Sequence, residues 1–437
     1  MALTTDLTPR NIPVSEHGLQ PRQFSKHALT IVEKLQGLGF EACIVGGCIR
    51  DLLLGQSPKD FDVATNATPE QISEAFGNAR LIGRRFRLAH VRYGREIIEV
   101  ATYRGESRSD ADAQSDCKLA VRELDHGRLV RDNIYGSESE DAIRRDFTIN
   151  ALMYDPITET LKDYVGGYED LKTRTLRLIG DPKTRYQEDP VRLLRAVRFM
   201  TKLGLTADEA TEAPIKAMAP LLQDIPPARL FDEILKLFLS GHAWSTYQAM
   251  VAFDLWVQLF PNLFQDPASP PVMVEQGLKN TDARVREDQP VTPGFLFAVF
   301  LWARVETRAE ALLGKGLAPV NALAQAGDEV IYEQAQTVAI HRRFSSMARE
   351  IWCMQPRFLK QSKRRGERMI QERRFRAAYD FLLLRALEDP KLVPVAEWWT
   401  ELQKTVPAAT HTSERPRNKR RRPRRRRRSN EPRAQAR

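Results

Sequence analysis

The sequence has little cysteine and no long apolar run. Its 437 residues include four cysteines, Cys43, Cys48, Cys117 and Cys353, which form no CxxC pair. This spacing argues against a structural zinc site and against the disulfide framework of a secreted domain. No stretch approaches the roughly 18 consecutive apolar residues of a membrane-spanning helix, and the N-terminus lacks the apolar run of a signal peptide. We therefore expect a cytoplasmic protein without a membrane span.

Excess positive charge is missing from most of the chain and is concentrated at its end. Lys and Arg number 67 against 57 Asp and Glu, but residues 415–437 hold 13 of the basic residues and one acid. Residues 405–437 have almost no apolar side chains to bury, so we predict a disordered basic tail. We expect the tail to bind polyanions through counterion release, with contacts that include Arg420, Arg424 and Arg426. The alternative is a tail that only keeps the protein soluble.

The rest of the chain divides into a mixed part and a helical part. Short β-branched runs separated by glycine or polar residues continue to about residue 172, and helical periodicity then continues to about residue 400. We therefore predict an α+β fold. Its predicted segments are a lead-in (1–24), a mixed β-sheet head with helices (25–172), an all-α neck (173–240), an all-α body (241–404) and the tail. We predict a long mobile loop at residues 105–140, which are polar and charged.

A glycine turn and two spaced aspartates in the head are candidates for a phosphate and metal site. Gly46 and Gly47 follow a strand-like run and would let the backbone approach a ligand, and Arg50 follows them. Asp60 and Asp62 lie in another strand-like run, where alternate residues face the same side. Two carboxylates on one face favour a bound cation such as Mg²⁺. The alternative is a solvated acidic pair at a strand edge.

A second candidate site begins at Glu188-Asp189-Pro190. Asp followed by Pro is a good helix start, and Arg192, Arg195 and Arg198 then recur at a spacing of three residues. On spacing alone, these residues are a helix cap followed by one solvated basic face. A ligand-binding role is the other interpretation, and both are compatible because a cap residue can also face a ligand.

Three motifs carry a resemblance to a known family. They are GGCIRDLLLG…KDFDVATNATPEQI from Gly46, RRDFTINAL from Arg144, and EDPVRLLRAVRF from Glu188. In this order they resemble the class II nucleotidyltransferases of the polymerase-β superfamily, which comprise the tRNA CCA-adding enzymes and the bacterial poly(A) polymerases. The resemblance covers residues 20–240 well and continues more loosely to about residue 400. It implies a catalytic head, a nucleotide-recognising neck and an RNA-binding body. It also implies that RNA is the polyanion that the basic tail would bind.

The resemblance also implies roles for individual residues. Asp60 and Asp62 would hold two Mg²⁺ ions, and Asp146 would be the third catalytic acid; Glu99 is a further carboxylate that could approach the metals. The triphosphate or sugar would be contacted by Gly46, Gly47, Arg50 and Arg145. The element that reads the base would include Glu188, Asp189, Arg192 and Arg195. Within that element, Asp189 and Arg192 would present an acceptor and a donor to the base.

The stretch GRRFRLAHV, residues 83–91, resembles the bacterial poly(A) polymerases more than the CCA-adding enzymes. Its Arg84, Arg85 and Arg87 suit a phosphate track for RNA, with a solvated basic hairpin as the alternative. In residues 341–376, basic residues are interleaved with Phe344, Trp352 and Phe358. These rings would either stack on single-stranded RNA or belong to the core.

These observations predict a poly(A) polymerase. It would add AMP from ATP to the 3′ ends of single-stranded RNA without a template, depend on Mg²⁺ and release pyrophosphate. We expect a monomer that marks RNA for decay, with RNA-decay proteins as partners. The alternatives are a CCA-adding tRNA nucleotidyltransferase and an RNA-binding protein whose catalytic site is vestigial.

Overall fold

The computed structural model of the chain describes residues 8–83, 87–105, 122–125, 128–132 and 135–405. The predicted disordered tail therefore lies outside the described residues, apart from Thr405 at the end of the last helix. None of the described helices is long and apolar enough to cross a membrane.

The predicted α+β class is confirmed, with strands concentrated in the first part of the chain. The strands are β1 (Arg10–Ile12), β2 (Ala42–Val45), β3 (Asp62–Thr65), β4 (Ala79–Ile82), β5 (Leu88–Tyr93), β6 (Glu96–Thr102), β7 (Arg122–Asp125), β8 (Arg128–Asp132), β9 (Met153–Asp155), β10 (Thr160–Asp163), β11 (Thr175–Leu176) and β12 (Thr206–Ala207).

Helices form the rest of the head and almost everything after it. They are α1 (Val14–His17), α2 (Lys26–Gly37), α3 (Gly47–Leu53), α4 (Pro69–Ala75), α5 (Glu138–Arg144), α6 (Gly167–Lys172), α7 (Pro182–Glu188), α8 (Val191–Leu203), α9 (Glu209–Glu212), α10 (Pro214–Met218), α11 (Pro227–Phe238), α12 (Ala243–Ala252), α13 (Leu255–Leu259), α14 (Val272–Arg286), α15 (Pro293–Gly314), α16 (Pro319–Gln334), α17 (Arg342–Phe358), α18 (Lys363–Ile370), α19 (Phe375–Arg385) and α20 (Val393–Thr405). Short 3-10 helices are at Pro21–Gln23, Thr148–Asn150, Ala219–Asp224 and Pro390–Leu392.

Eight strands form one mixed sheet in the spatial order β1-β10-β9-β2-β3-β6-β5-β4. Every neighbouring pair is antiparallel except β3 and β6, which are parallel. Strand β1 lies in the predicted lead-in but is an edge strand of this sheet, paired with β10. On β6, Ile98, Val100 and Thr102 are buried on one face, while Ile97 and Glu99 point to the other face and are exposed. This alternation leaves one face of the sheet centre available for polar side chains.

The prediction of a loop over residues 105–140 is wrong for part of that range. Strands β7 and β8 pair as an antiparallel hairpin, and α5 begins at Glu138. Ser137 caps α5: its hydroxyl accepts from the Glu140 amide, and the Glu140 side chain accepts from the Ser137 amide. The hairpin sequences contain few apolar residues, so they lack the alternation that identifies a half-buried strand.

The helical part is organised around large buried aromatic side chains. Trp352 on α17 is fully buried and donates from Nε1 to the Ala298 carbonyl on α15 at 3.1 Å. Phe358 is also fully buried, and Phe344 stacks on Phe231 with ring centroids 5.9 Å apart. The core interpretation is therefore confirmed for Trp352 and Phe358, which have no exposed face on which a base could stack. Phe344 packs against the core but is only partly buried, so both interpretations of this ring stay open.

Close packing at Gly327 gives a first prediction. A Cβ at Gly327 on α16 would lie 2.8 Å from Cε3 of Trp352. We expect Gly327→Ala to lower the free energy of unfolding by about 1 to 3 kcal/mol, because the ring has no space to move away. Urea unfolding followed by tryptophan fluorescence measures the change.

Gly314→Ala is the matched control. Gly314 also lies in a helix, but no atom would be within 4 Å of its Cβ. We expect no loss of stability there, and a gain of up to about 1 kcal/mol from helix propensity. Equal effects of the two substitutions would contradict the packing described here.

Candidate active site

The Gly46-Gly47 turn brings a distant arginine against the end of strand β2. Gly46 has φ +80°, and a Cβ there would lie 3.1 Å from Nη1 of Arg145. Only glycine satisfies both conditions without strain. The same Arg145 guanidinium is fixed by Asp141 at 2.8 Å and donates to the Asn150 carbonyl at 3.3 Å. The turn therefore has a cation beside it, as the sequence predicts.

Arg50 is buried and is held from two sides. Its Nη1 donates to Oδ1 of Asn150 at 2.6 Å, and its Nε donates to Oδ1 of Asp51 at 2.8 Å. Its guanidinium also lies over the ring of Phe199, 5.0 Å from the centroid. Arg195 and Arg198 approach the same ring at 5.4 and 4.8 Å. Three guanidinium groups therefore surround one aromatic side chain of helix α8.

The side chain of Asp146 is 11% exposed, and both oxygens of its carboxylate accept hydrogen bonds. One oxygen accepts from the Phe147 amide at 2.8 Å and from Asn150 Nδ2 at 2.9 Å, and the other accepts from Arg195 Nε at 2.6 Å. Burial by itself favours the neutral acid, but the Arg195 charge and these hydrogen bonds together hold the pKa of Asp146 below its ordinary value. Asp146 thus positions a cation of the neck, and its predicted role as a third catalytic acid stays a prediction.

Asp62 has a different environment, because it has no salt bridge among the described residues. Burial and the carboxylates of Glu99 and Asp60 raise the pKa of Asp62 and the Arg145 cation lowers it, so that together they bring it to about 6. Strand β3 begins at Asp62, so the prediction that Asp60 lies in the same strand is wrong; Asp60 is exposed just before it. Glu99 lies directly opposite Asp62 on the parallel strand β6. The structure therefore combines Asp62 with Glu99 as well as with Asp60.

The acidic group formed by Asp60, Asp62 and Glu99 fits a divalent cation better than Asp146 does. Within the described residues, no three His, Cys, Asp or Glu side chains form a complete metal cluster. Mg²⁺ does not require one, since it keeps several waters and is usually bound by one or two carboxylates together with substrate phosphates. Asp62 has no salt bridge among the described residues, whereas the charge of Asp146 is already paired with Arg195.

Beside Asp62 there is an open cavity of about 530 Å³ between the head and helices α8 and α11. Most of its charged lining is cationic; the cationic residues are Arg50, Arg145, Arg192, Arg195, Arg198, Lys202 and Arg229, and the acids are Asp62, Asp146, Asp189 and Glu233. The buried Nε of Arg198 has no hydrogen-bond partner in the described structure, and burial lowers the pKa of Arg198. A cationic cavity with an unsatisfied donor is suited to a polyanion such as a triphosphate.

The element predicted to read the base lies at the neck side of this cavity. Asp189 accepts from Arg229 Nη2 at 2.6 Å and from the Val191 amide at 3.3 Å. Arg192 donates to the Arg185 carbonyl at 2.6 Å and to Glu188 at 3.0 Å. The helix-cap interpretation of Asp189 is therefore partly confirmed.

The interpretation of a solvated basic face is wrong, because the arginines of helix α8 face the cavity and are largely buried. The side chain of Arg192 is 13% exposed and that of Arg195 is 29% exposed. Sequence reasoning missed Phe199, Lys202, Arg229 and Glu233. The first two continue the helical spacing of Arg192, Arg195 and Arg198, so the spacing itself was a usable signal.

The predicted RNA-binding arginines are mostly untested by the geometry. Arg87 pairs with Glu70 at 2.5 Å on the surface. Arg84, Arg85, Arg420, Arg424 and Arg426 lie outside the described residues. Their role in binding RNA stays a prediction.

Family models match most of the chain. They are described as "Poly A polymerase head domain" (residues 42–177), "Probable RNA and SrmB- binding site of polymerase A" (204–266) and "Polymerase A arginine-rich C-terminus" (315–433). Among solved structures, an apo form II of a CCA-adding enzyme covers 90% of this chain and 87% of its own, with 21% identity and a TM-score of 0.62. That likeness concerns the fold. The head, its carboxylates and the helical neck thus define a nucleotidyltransferase of the type shared by CCA-adding enzymes and poly(A) polymerases.

Sequence relatives decide between these two branches. The chain is 48% identical to "Poly(A) polymerase I" of Haemophilus influenzae over 90% of this chain and 87% of the relative. It is 45% identical to that of Escherichia coli O157:H7 over 91% and 86%. Similarity to the "CCA-adding enzyme" of Lactobacillus helveticus, at 37%, covers 52% of this chain and 53% of the relative. The chain belongs to the bacterial poly(A) polymerase I family, and its activity is that of a polynucleotide adenylyltransferase.

The ion pair between Asp146 and Arg195 gives a second prediction. We expect Asp146→Asn to destabilise the protein by roughly 3 kcal/mol at pH 7, because it leaves the Arg195 cation without its anion. The pKa of Asp146 is lowered in the folded state, so its stabilisation is present above its ordinary pKa and is lost as the pH falls through the lowered one. The deficit of the variant should therefore shrink below about pH 4.

Unfolding midpoints at pH 7 and pH 3.5 measure this. The double variant Asp146→Asn/Arg195→Met is the control: it removes both charges and should be more stable at pH 7 than Asp146→Asn alone. Wild-type stability of Asp146→Asn at pH 7 would show that the pair contributes nothing.

Proposed function

We propose that the protein extends RNA 3′ ends with AMP taken from ATP, in a reaction that depends on Mg²⁺. The observation that carries this proposal is the acidic group of Asp62, Glu99 and Asp60 beside a cationic cavity. The acidic group suits divalent cations and the cavity suits the triphosphate that accompanies them. The volume of the cavity, about 530 Å³, lies in the usual range for small-molecule sites.

In the proposed reaction, the 3′ hydroxyl of RNA attacks the α-phosphorus of ATP in line. A new phosphodiester bond forms, the bond to the bridging oxygen breaks, and pyrophosphate leaves. Mg²⁺ held by Asp60, Asp62 and Glu99 would supply Lewis-acid activation of the hydroxyl and charge neutralisation. Arg50, Arg195 and Arg198 would bind the β- and γ-phosphates and stabilise the negative charge of the leaving group.

We propose Asp146 as the residue that positions these cations. Its carboxylate holds Arg195 directly, and through Asn150 it is linked to Arg50. The base would be read by Asp189 and Arg192, with Arg229 fixing the carboxylate of Asp189 and Glu188 fixing Arg192. Gly46, Gly47 and Arg145 would contact the phosphates or sugar.

RNA would be bound by basic surfaces outside the cavity. We propose that Arg84, Arg85 and Arg87 follow the backbone near the acidic group and that the Arg-rich tail contributes affinity independent of sequence. The consequence in the cell would be marking of RNA for decay in the cytoplasm by a monomeric enzyme, with RNA-decay proteins as partners.

One experiment tests the proposed function against its alternatives. Purified protein is incubated with Mg²⁺ and each labelled nucleoside triphosphate in turn, using an unstructured RNA and a tRNA that lacks its CCA end. Long products made only with ATP support the proposal. Addition of two C and one A to the tRNA would indicate a CCA-adding enzyme, and no incorporation would indicate a vestigial site.

Substitution of the acidic group gives a third prediction. Asp60→Ala and Asp62→Ala should each lower kcat by at least about 10³-fold, because several kcal/mol of transition-state stabilisation depend on the metals that these residues would hold. RNA binding should be nearly unchanged. Glu74→Ala, at an exposed position on α4, is the control and should leave activity intact. Residual activity within tenfold of wild type in both aspartate variants would sink the assignment.

Base selection gives a fourth prediction. Asp189→Ala and Arg192→Ala should reduce the preference for ATP over CTP, measured as the ratio of kcat/KM values, by about tenfold or more. Arg229→Ala should shift the same ratio in the same direction, because it releases the carboxylate of Asp189. Unchanged selectivity with normal rates in all three variants would leave Asp189 with only its helix-cap role.

A further inference from the structure

The strand registers align three chemically active side chains across the centre of the sheet. Asp62 on β3 lies opposite Glu99 on β6, and Glu99 lies opposite His90 on β5. Neighbouring strands in a sheet are about 4.8 Å apart, so the three side chains are close on one face. The Nε2 of His90 donates to Oε1 of Glu99 at 3.1 Å. His90 is therefore one strand further from Asp62 than Glu99 is.

This is the one side-chain hydrogen bond of Glu99 among the described residues. The Glu99 side chain is 48% exposed, and the His90 side chain is 26% exposed. A half-exposed glutamate without a partner populates several rotamers, and fixing it costs up to roughly 1.5 to 2 kcal/mol of conformational entropy. The hydrogen bond from His90 restricts the rotamers of Glu99 in the free protein. Less conformational entropy is therefore lost when the carboxylate is fixed by a ligand.

We propose that His90 is a positioning residue for the adenylyl transfer reaction. Its Nε2–H holds the carboxylate of Glu99 on the same face as Asp62, so that both carboxylates are oriented for a divalent cation. The inference rests on the proposed function, in which Glu99 belongs to the acidic group. Hydrogen bonds to a ligating carboxylate from outside the metal shell commonly fix its orientation in this way.

The chain provides an internal control for this bond. Three residues earlier on β6, Glu96 accepts from Nδ1 of His27 at 2.5 Å and from the Ser25 hydroxyl at 2.5 Å. Residues three apart in a strand face opposite sides of the sheet, so this second His–Glu pair points away from Asp62. Both histidines are partly exposed, and each bonds a glutamate of the same strand. They differ in the face that they occupy.

The test compares His90→Leu, His90→Gln and His27→Leu in the full-length protein. We expect His90→Leu to lower kcat by about tenfold or more with little change in KM for ATP. His90→Gln keeps an N–H donor and should recover most of the rate, while His27→Leu should match wild type. Equal rates for His90→Leu and wild type, or an equal loss in His27→Leu, would overturn the proposal.

Metal binding supplies a readout that does not depend on turnover. Mn²⁺ binding to the protein without ATP or RNA is followed by electron paramagnetic resonance. We expect His90→Leu to weaken Mn²⁺ affinity by about tenfold, with no change in His27→Leu and recovery in His90→Gln. Unchanged affinity in His90→Leu would overturn the proposal. If the wild type bound Mn²⁺ but incorporated no AMP, the proposed function would fail. The Mn²⁺ affinities of the variants would still show whether His90 orients Glu99 for a cation.

A double-mutant cycle with Glu99→Gln shows whether His90 acts through Glu99. If it does, His90→Leu should lower kcat and Mn²⁺ affinity much less in the Glu99→Gln background than in wild type. A full, additive loss in that background would place the effect of His90 elsewhere and overturn the proposal. Thermal unfolding midpoints of all variants separate these effects from a loss of folded protein.

Discussion

The ion pair between Asp146 and Arg195 joins the sheet-containing head to the first long helix of the neck. Asp146 follows α5 and comes before the short helix Thr148–Asn150, and Arg195 lies on α8. The cavity has one wall from each side of this junction, so its shape depends on the angle at which α8 meets the head. Asn150 extends the connection, because it bonds both Asp146 and Arg50. A change at this junction would therefore move Arg50 of the head and the arginines of α8 together.

Two kinds of acid are thus used in one site, and their environments separate them. Asp146 is saturated with donors, and its pKa is lowered; Asp62 is partly buried beside other carboxylates, and its pKa is raised to about 6. The first arrangement contributes to rigidity in the free protein. The second leaves negative charge that a cation can neutralise. Sequence motifs do not distinguish these roles, because both residues are aspartates in conspicuous elements.

Much of the fold and site follows from local sequence. The glycine turn, the spaced aspartates and the helix that follows Asp189 are each recognised from about ten consecutive residues, because turn chemistry and periodicity act at short range. The alignment of Asp62, Glu99 and His90 depends on the pairing of β3 with β6 and of β6 with β5, which short-range patterns do not specify. The contact between Arg229 and Asp189 joins residues 40 positions apart, so short-range patterns do not specify it either. The sequence did not predict the β7–β8 hairpin, because its strands are too polar to show the alternation of apolar and polar residues.

The order of strands in the sheet also bears on how the chain folds during synthesis. Strand β2, near the centre of the sheet, pairs on one side with β3 but on the other with β9, more than 100 residues later. At typical rates of about 5–20 residues per second, the ribosome needs about 5–20 s to make the residues between them. During that interval the hydrogen-bonding edge of β2 is without its partner. An exposed edge is a site for association with other chains, so the nascent head has a period of vulnerability that ends when Met153–Asp155 emerges from the ribosome.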